Sequence, residues 1–221
     1  MSPRHPSHGG MPRGSARSSI DILFHFPFKR FGFVVWYFKM EYIVGMDTSH
    51  KLTFVGIVIG RWVDIKSCWS AIARRLRVDS IHMYKFSLRL KKMALRLLCE
   101  FCSGLKLLCV KVNYPRLRSV LRNLYPRIPR QKLTTKINRI VKAALYDIIR
   151  EYCNRPRIIV DKELLGILNA ACEPREPIEI ADILAWFNLR KNVLPRELRT
   201  CLRDIIMEID IENKLIQIAR E

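Results

Sequence analysis

The pattern of apolar and polar positions predicts a β-hairpin at residues 41–61. Residues 42–46 form a short apolar run, a polar turn follows, and residues 52–59 form a second run rich in β-branched side chains. Two such runs separated by a few polar residues are typical of paired strands. Gly45 and Gly56 interrupt the runs, and a glycine inside a strand marks a bulge or the close approach of another backbone. We therefore expect the sheet to be organised around this hairpin.

The rest of the chain alternates between strand and helix patterns. Alternation predicts a third strand at residues 62–70, and short apolar runs predict a fourth at 105–112 and a fifth at 157–160. Helical spacing predicts helices at about residues 82–102, 134–152, 178–191 and 195–208, followed by a terminal hairpin-like pair. Strands joined by short turns pair antiparallel, whereas helices that return the chain to the sheet imply parallel pairing. The prediction is an α/β fold with a mixed sheet, three antiparallel strands followed by parallel strands, and helices packed on it.

Net charge favours polyanionic partners. The chain has 40 basic and 20 acidic residues, an excess that points first to nucleic acid and second to an anionic membrane surface. Residues 113–139 contain eight basic residues and no acid. The predicted contacts to DNA or RNA are Arg116, Arg118, Arg122, Arg127, Arg130, Lys132 and Lys136. Tyr114 and Tyr125 are expected to stack on bases, and the alternative is a solvated basic loop.

Residues 1–39 differ in composition from the remainder. Residues 1–19 are rich in Ser, Gly, Pro and Arg, which predicts disorder. Residues 20–38 are apolar and aromatic but are interrupted by proline and basic residues, so we predict no stable membrane insertion. Met40 is favoured as the true start, and the alternative is a basic, aromatic arm that touches membrane or nucleic acid. The predicted organisation is a disordered or mis-assigned extension at 1–39, a main domain at 40–192, and a C-terminal helix and hairpin at 193–221.

The seven cysteines show no regular framework. Cys99 and Cys102 form a C-x-x-C inside a helical pattern, without a second pair at zinc-ligand spacing. We expect buried thiols in a reducing cytoplasm, with a zinc or redox role as the alternative. The sequence leaves the oligomeric state open.

Three acids stand at the ends of predicted elements. Asp47 ends the first strand, Asp161 follows the fifth strand, and Asp182 lies early in a helix. Each alone has an ordinary explanation, as a turn former or as an acid favoured by the helix dipole. Because these ends are expected at one edge of the sheet, together they predict a carboxylate metal site.

The element order and these acids resemble the ribonuclease H-like fold. That family carries an Asp on its first strand, an acid on a later central strand and another near the start of a late helix. The pair Ala181 and Asp182 is similar to the C-terminal A-D motif of several uncharacterised ribonuclease H-like families. Some of those begin with D-E-S-G, where this chain has D-T-S-H from Asp47 to His50. The resemblance spans roughly residues 41–190 and implies a ribonuclease H-like domain at 40–192.

The resemblance implies a metal-dependent nuclease, or a related phosphoryl-transfer enzyme, that acts on DNA or RNA. Asp47, Asp161 and Asp182 would be both its catalytic and its metal-binding residues, and would hold Mg²⁺ or Mn²⁺, which prefer oxygen ligands. Glu163 is expected to be a further ligand or a solvent-facing residue, and His50 a proton shuttle or an exposed turn residue.

Two other functions stay open at this point. One is a non-catalytic nucleic-acid-binding module on the same fold. The other is an actin-like or sugar-kinase-like ATPase, which ranks low because the chain lacks a Gly-rich second phosphate loop.

Overall fold

The computed structural model describes residues 41–49 and 52–220, which form a mixed sheet with helices packed on both faces. The strands are β1 (Tyr42–Ser49), β2 (Phe54–Arg61), β3 (Lys106–Lys111), β4 (Arg157–Val160) and β5 (Ile206–Asp210). Their order across the sheet is β4-β1-β2-β3-β5. β2 is antiparallel to both of its neighbours, whereas β1 pairs with β4 and β3 pairs with β5 in parallel. The predicted α/β class, with a mixed sheet and packed helices, is confirmed.

The helices form two layers, one on each face of the sheet. They are α1 (Trp62–Leu76), α2 (Leu88–Phe101), α3 (Tyr114–Leu124), α4 (Arg130–Tyr152), α5 (Lys162–Leu168), α6 (Glu176–Arg190), α7 (Arg196–Ile205) and α8 (Glu212–Arg220). Short 3₁₀ helices occupy Met83–Lys85 and Lys191–Val193. α3, α4, α5 and α8 share one core, here called the α4 layer, while α1, α2, α6 and α7 share the other, called the α6 layer. Alternation along β1 divides its side chains between them.

Residues 62–70, predicted as a strand, begin α1 instead. The buried positions Ile65, Cys68 and Ile72 lie three and four residues apart, on one side of a helix. The predicted fourth strand, β3, is therefore the third antiparallel strand, and two long helices separate it from the hairpin. The expected opening of three consecutive antiparallel strands is wrong in chain order.

The C-terminal end of the chain contributes a strand to the sheet. β5 pairs with β3, but residues 214–219, predicted as the second strand of a hairpin, belong to α8. Leu215, Ile216 and Ala219 are buried in the α4 layer, and their spacing is that of a helix. The predicted terminal hairpin is therefore wrong.

The N-terminal predictions lie outside the described residues. These are the extension at 1–39 and the start at Met40, and the turn residue His50 is outside as well. Among the helices that are described, none combines the length and the apolar character needed to cross a lipid bilayer.

Two disulfides tie together helices of the α6 layer. Cys68 on α1 is bonded to Cys102 after α2, with Cα atoms 5.4 Å apart, and Cys99 on α2 is bonded to Cys201 on α7, with Cα atoms 6.3 Å apart. The free thiols are Cys109, Cys153 and Cys172. The prediction of unbonded thiols is thus wrong for the C-x-x-C, because each of its cysteines forms a disulfide with a cysteine that is distant in sequence.

Candidate active site

Asp47 and Asp161 follow matched positions on two paired strands. β1 and β4 run parallel with Met46 opposite Val160, and the backbone N–H of Asp161 donates to the carbonyl oxygen of Met46 at 3.0 Å. Asp47 and Asp161 each follow these paired residues by one position, so both acids lie at the same edge of the sheet. The Asp161 carboxylate also accepts from the backbone N–H of Glu163 at 3.3 Å, as the N-cap of α5. A hydrogen bond thus orients this side chain.

Close packing of α6 on the hairpin brings Asp182 to that edge. Asp47 is opposite Gly56 in the β1–β2 pair, and a Cβ at Gly56 would lie 2.1 Å from the carbonyl oxygen of Ala181. A Cβ at Gly45 would lie 2.4 Å from the first turn of α6. Only glycine leaves room for a helix backbone so close to a strand, so the predicted close approach is confirmed. The residue after Ala181 is Asp182, which α6 carries towards Asp47.

A cleft of about 670 Å³ opens where these elements meet. Its polar lining includes Asp47, Thr48, Ser49, His82, Asp161, Lys162, Glu163, Arg175, Glu179 and Asp182. Its apolar and aromatic lining includes Tyr84, Val160, Cys172, Ile178, Trp186 and Leu189. The volume lies in the range of sites that enclose small ligands. The three predicted catalytic acids and the predicted auxiliary Glu163 therefore share one cleft.

The pKa of Asp47 is strongly raised. The pKa rises from the ordinary 3.8 to about 8, chiefly because the side chain is buried, and the negative charges of Asp182, Asp161 and Glu163 contribute to the rise. The backbone N–H of Thr48, 2.6 Å from the carboxylate, lowers the pKa in opposition. Carboxylates shift one another in this way only when they are close together in a poorly solvated place.

The pKa of Asp182 is raised less. The net pKa is about 6, and burial is the largest cause of the rise, with smaller contributions from Asp161 and Glu179. The backbone N–H of Met83 donates to the Asp182 carboxylate at 2.7 Å, and this bond and the nearby His82 lower the pKa. Around neutral pH Asp182 is therefore mostly ionised and Asp47 mostly protonated. Acid–base sites use such a separation between the pKa values of two carboxyl groups.

Glu179 is a buried acid that ties α6 to the segment before α2. Its side chain is 4% exposed and accepts hydrogen bonds from Trp69 Nε1 at 2.6 Å and from the backbone N–H of Ile81 at 2.8 Å. A buried carboxylate needs such donors, because an unpaired one would be costly. The bonds fix residue 81 against the helix that carries Asp182.

The hydrogen bonds to the neighbouring residues position His82 at the cleft. Glu179 holds the residue before it, and Asp182 holds Met83 after it. The sequence pattern does not identify Glu179 or His82 as site residues. The available signal was the spacing of Glu179 three positions before Asp182, which places the two acids on one side of a helix.

Glu163 is joined to the end of β1. The hydroxyl of Thr48 donates to Glu163 Oε2 at 2.7 Å, and Thr48 directly follows Asp47. This bond links the first turn of α5 to the strand that carries the most perturbed acid of the trio. Glu163 is thus placed to hold the strand end.

The predicted phosphate-binding run lies away from the cleft. It comprises Arg116, Arg118, Arg122, Arg127, Arg130, Lys132 and Lys136, none of which lines the cleft. The run belongs to α3, α4 and their connection, in the α4 layer, whereas Asp182 is on α6 on the other face of the sheet. Arg116 is ion-paired with Glu212.

The two tyrosines of that run have partners within the protein. The Tyr114 hydroxyl donates to Asn138 Oδ1 at 2.9 Å, and Lys136 Nζ lies 4.2 Å from the ring centroid of Tyr125. The basic side chains that do line the cleft, Lys162 and Arg175, were not singled out from the sequence.

The cleft offers oxygen ligands, which suit a hard divalent cation. A bound cation would also offset the charge repulsion that, after burial, contributes to the raised pKa values of Asp47 and Asp182. Within residues 41–49 and 52–220, no three His, Cys, Asp or Glu side chains stand ready in an arrangement that would hold a metal ion. Mg²⁺ in proteins typically binds through one or two carboxylates and keeps several waters.

No protein-family model, curated protein or solved structure matches this chain. The residues of the cleft are therefore the basis for assigning a function.

Proposed function

We propose that the protein is a metal-dependent nuclease, or a related phosphoryl-transfer enzyme, that acts on nucleic acid at the acidic cleft. One observation carries the proposal: Asp47 and Asp161 follow matched positions on parallel strands, and α6 brings Asp182 to the same cleft. Gathering acids from three distant parts of the chain costs stability, because each disfavours ionisation of the others. Strongly perturbed groups collected in a cleft are typical of functional sites.

The cleft residues have distinct roles in this proposal. Asp47, Asp161 and Asp182 would hold the cation, which supplies Lewis-acid stabilisation of the charge that develops on phosphate oxygens. The backbone donors at Met83 and Glu163 orient two of these carboxylates before any ligand arrives. A preoriented site loses less entropy on binding than a mobile one.

Basic residues of the cleft would attract the substrate. Lys162 and Arg175 line the cleft beside the acids, and positive charge there draws phosphate groups towards a site that is otherwise acidic. The net charge of +20 would steer nucleic acid to the protein as a whole.

The proposed fold assignment remains ribonuclease H-like. Its support is a first strand that carries Asp47 and lies between an antiparallel neighbour, β2, and a parallel neighbour, β4, with Asp161 directly after β4. The insertion of α1 and α2 between the second and third antiparallel strands is a departure from the order expected from the resemblance.

The test is cleavage of end-labelled single-stranded and duplex DNA and RNA by the full-length protein, with Mg²⁺, with Mn²⁺ and with EDTA. We expect metal-dependent cleavage that falls by about 100-fold or more in Asp47→Asn and Asp182→Asn, since a metal-assisted step loses a ligand. Asp147→Asn is the matched control, because this exposed acid lies on α4 in the other layer. Cleavage by Asp47→Asn at the wild-type rate, with metal present, would contradict the proposal.

A non-catalytic nucleic-acid-binding module is the second candidate. The observation in its favour is the separate basic surface of the α4 layer, where Lys132, Lys136 and Arg139 line a depression of their own. It predicts salt-dependent binding that charge removal at these residues weakens, without any effect of metal. Metal-dependent cleavage that is lost in Asp47→Asn would exclude it.

A further inference from the structure

Two aromatic side chains line the cleft beside the acids, and neither is used in the proposal above. Tyr84 lies in the 3₁₀ helix Met83–Lys85 and is 74% exposed. Trp186 lies on α6 one helical turn after Asp182 and also lines the cleft. Residues four apart share one side of a helix, so the indole and the Asp182 carboxylate face the same space.

The backbone under Tyr84 is held firmly. Met83, directly before it, is fully buried and donates its N–H to Asp182, and Glu179 holds Ile81 in the same way. Tyr84 is therefore an exposed ring on an anchored segment. Ordering a ligand against such a ring costs little conformational entropy in the protein.

A lysine ammonium group lies over each ring. Lys85 Nζ is 5.5 Å from the Tyr84 ring centroid, and Lys91 Nζ is 5.5 Å from the Trp186 ring centroid. The ring of His82 lies 5.9 Å from that of Tyr84. Aromatic faces interleaved with cations suit a ligand that carries both flat bases and phosphates.

We propose that Tyr84 and Trp186 form a stacking platform for the bases of single-stranded nucleic acid. Lys85 and Lys91 would then lie near the phosphates of the bound strand. This names the substrate class of the proposed nuclease and rests on that proposed function. In a duplex the faces of the bases are covered by their neighbours, whereas a single strand can splay its bases onto aromatic side chains. The cleft of about 670 Å³ has the size that encloses a small ligand, which matches one or two nucleotides more closely than a duplex.

The test measures binding by fluorescence anisotropy, with full-length protein in EDTA so that no cleavage is needed. The probes are a labelled 12-nucleotide oligothymidylate and a hairpin duplex of equal phosphate number, at fixed salt. We expect Tyr84→Ala to weaken oligothymidylate binding by about 5- to 150-fold, the range that one base stacked on an aromatic ring contributes. Tyr84→Phe keeps the ring and should bind like the wild type. Tyr84 is exposed, so its substitution leaves the core intact.

Tyr42→Ala is the matched control. Tyr42 is 46% exposed and lies at the start of β1, at the end of the strand away from Asp47, so it should not affect binding. Heparin, a polyanion without bases, should bind the wild type and Tyr84→Ala equally. Equal oligothymidylate affinity of Tyr84→Ala and wild type, or duplex binding at least as tight as single-strand binding, would overturn the inference. Tight stacking without metal-dependent cleavage would instead overturn the proposed function and leave the platform standing.

Discussion

Burial, three neighbouring acids and one backbone donor act together on the carboxyl group of Asp47. The first two raise its pKa and the donor lowers it, with a net rise to about 8. A carboxyl group that stays protonated near neutrality cannot serve as an anionic ligand unless a cation displaces the proton. Cation binding at this site should therefore release protons and tighten as the pH rises.

Without metal, Asp47 should make stability depend on pH. Between its ordinary pKa of 3.8 and its folded-state pKa of about 8, the folded state binds more protons than the unfolded state, so the free energy of unfolding falls as pH rises. Asp182 acts in the same direction up to about pH 6. We expect thermal melting in EDTA to show a lower Tm at pH 8 than at pH 5.

Asp47→Asn removes the titrating group and should flatten that dependence. We expect its Tm at pH 8 to exceed that of the wild type by roughly 2–6 °C, since 1 kcal/mol corresponds to about 2–4 °C in a protein of this size. Asp147→Asn should melt with the wild-type pH profile. An Asp47→Asn profile as steep as that of the wild type would show that this carboxyl group is not perturbed.

The sequence predicts the site acids better than their supports. Asp47 and Asp161 stand where apolar runs end, so the pattern alone places them at one edge of a sheet. Glu179 and His82 have no such mark, because what brings them to the cleft is a contact between residues 81 and 179, which are distant in the chain. A buried acid that accepts from a backbone N–H looks the same in sequence as a solvated one.

At the scale of elements, the distance between α6 and the hairpin controls the site. Gly45 and Gly56 leave space for α6, whose backbone carries Asp182. A side chain at either glycine would move the helix rather than a flexible neighbour, because the atoms it would meet include the helix's own backbone. The two glycines and the acids are thus parts of one arrangement.

Gly56→Ala should destabilise the protein and damage the site together. Its Cβ would lie 2.1 Å from Ala181 O and 2.7 Å from Ala185 N, and overpacking of this kind costs about 1–3 kcal/mol. Gly166→Ala, in α5, is the matched control: its Cβ meets nothing within 4 Å, and replacing a helical glycine should stabilise by about 0.5–1 kcal/mol. Urea denaturation measures both. Equal free energies of unfolding for the two variants would contradict this account of α6.

The predictions of helices and strands fail where one stretch of sequence fits both the alternation of a strand and the spacing of a helix. Residues 62–70 alternate like a strand, yet the positions that are buried follow helical spacing and continue past residue 70 to Ile72 and Leu76. Residues 214–219 are too short for the pattern to distinguish strand from helix. By contrast, β1, β2, β3 and β4 are apolar, β-branched runs bounded by polar residues, and the sequence reasoning predicts each as a strand.

For the whole molecule, disulfides cross-link the helices of the α6 layer. Within the described residues, no disulfide joins helices of the α4 layer. The bonds Cys68–Cys102 and Cys99–Cys201 close loops of 34 and 102 residues. Closing long loops lowers the entropy of the unfolded chain. The cross-links hold α1, α2 and α7 around α6, the helix that carries Asp182.

Breaking the longer cross-link should lower stability. We expect Cys201→Ser to reduce the free energy of unfolding by about 2–4 kcal/mol, with a change below about 0.5 kcal/mol for Cys172→Ser, whose thiol is free. Thiol titration of the unfolded, unreduced protein should find three reactive cysteines, the number that remain outside the disulfides. Seven reactive cysteines would show that neither cross-link forms.

Within residues 41–49 and 52–220, the acidic cleft and the basic run belong to different parts of the fold. The acidic cleft is built by α6 and the strand ends, and the basic run by α3 and α4 on the other face. The sequence does not reveal this separation, because nothing in a linear pattern shows which face of a sheet a helix covers. We expect the acidic cleft to determine cleavage and the basic run to determine the salt-dependent attraction of nucleic acid.

The central claim is that the acidic cleft binds a divalent cation, and calorimetric titration of the full-length protein with Mn²⁺ tests it most directly. The account predicts saturable binding by the wild type and by Asp147→Asn, and binding at least 10-fold weaker in Asp47→Asn and Asp182→Asn, since each loses a carboxylate ligand. Binding that is absent from the wild type, or undiminished in both cleft variants, would contradict it.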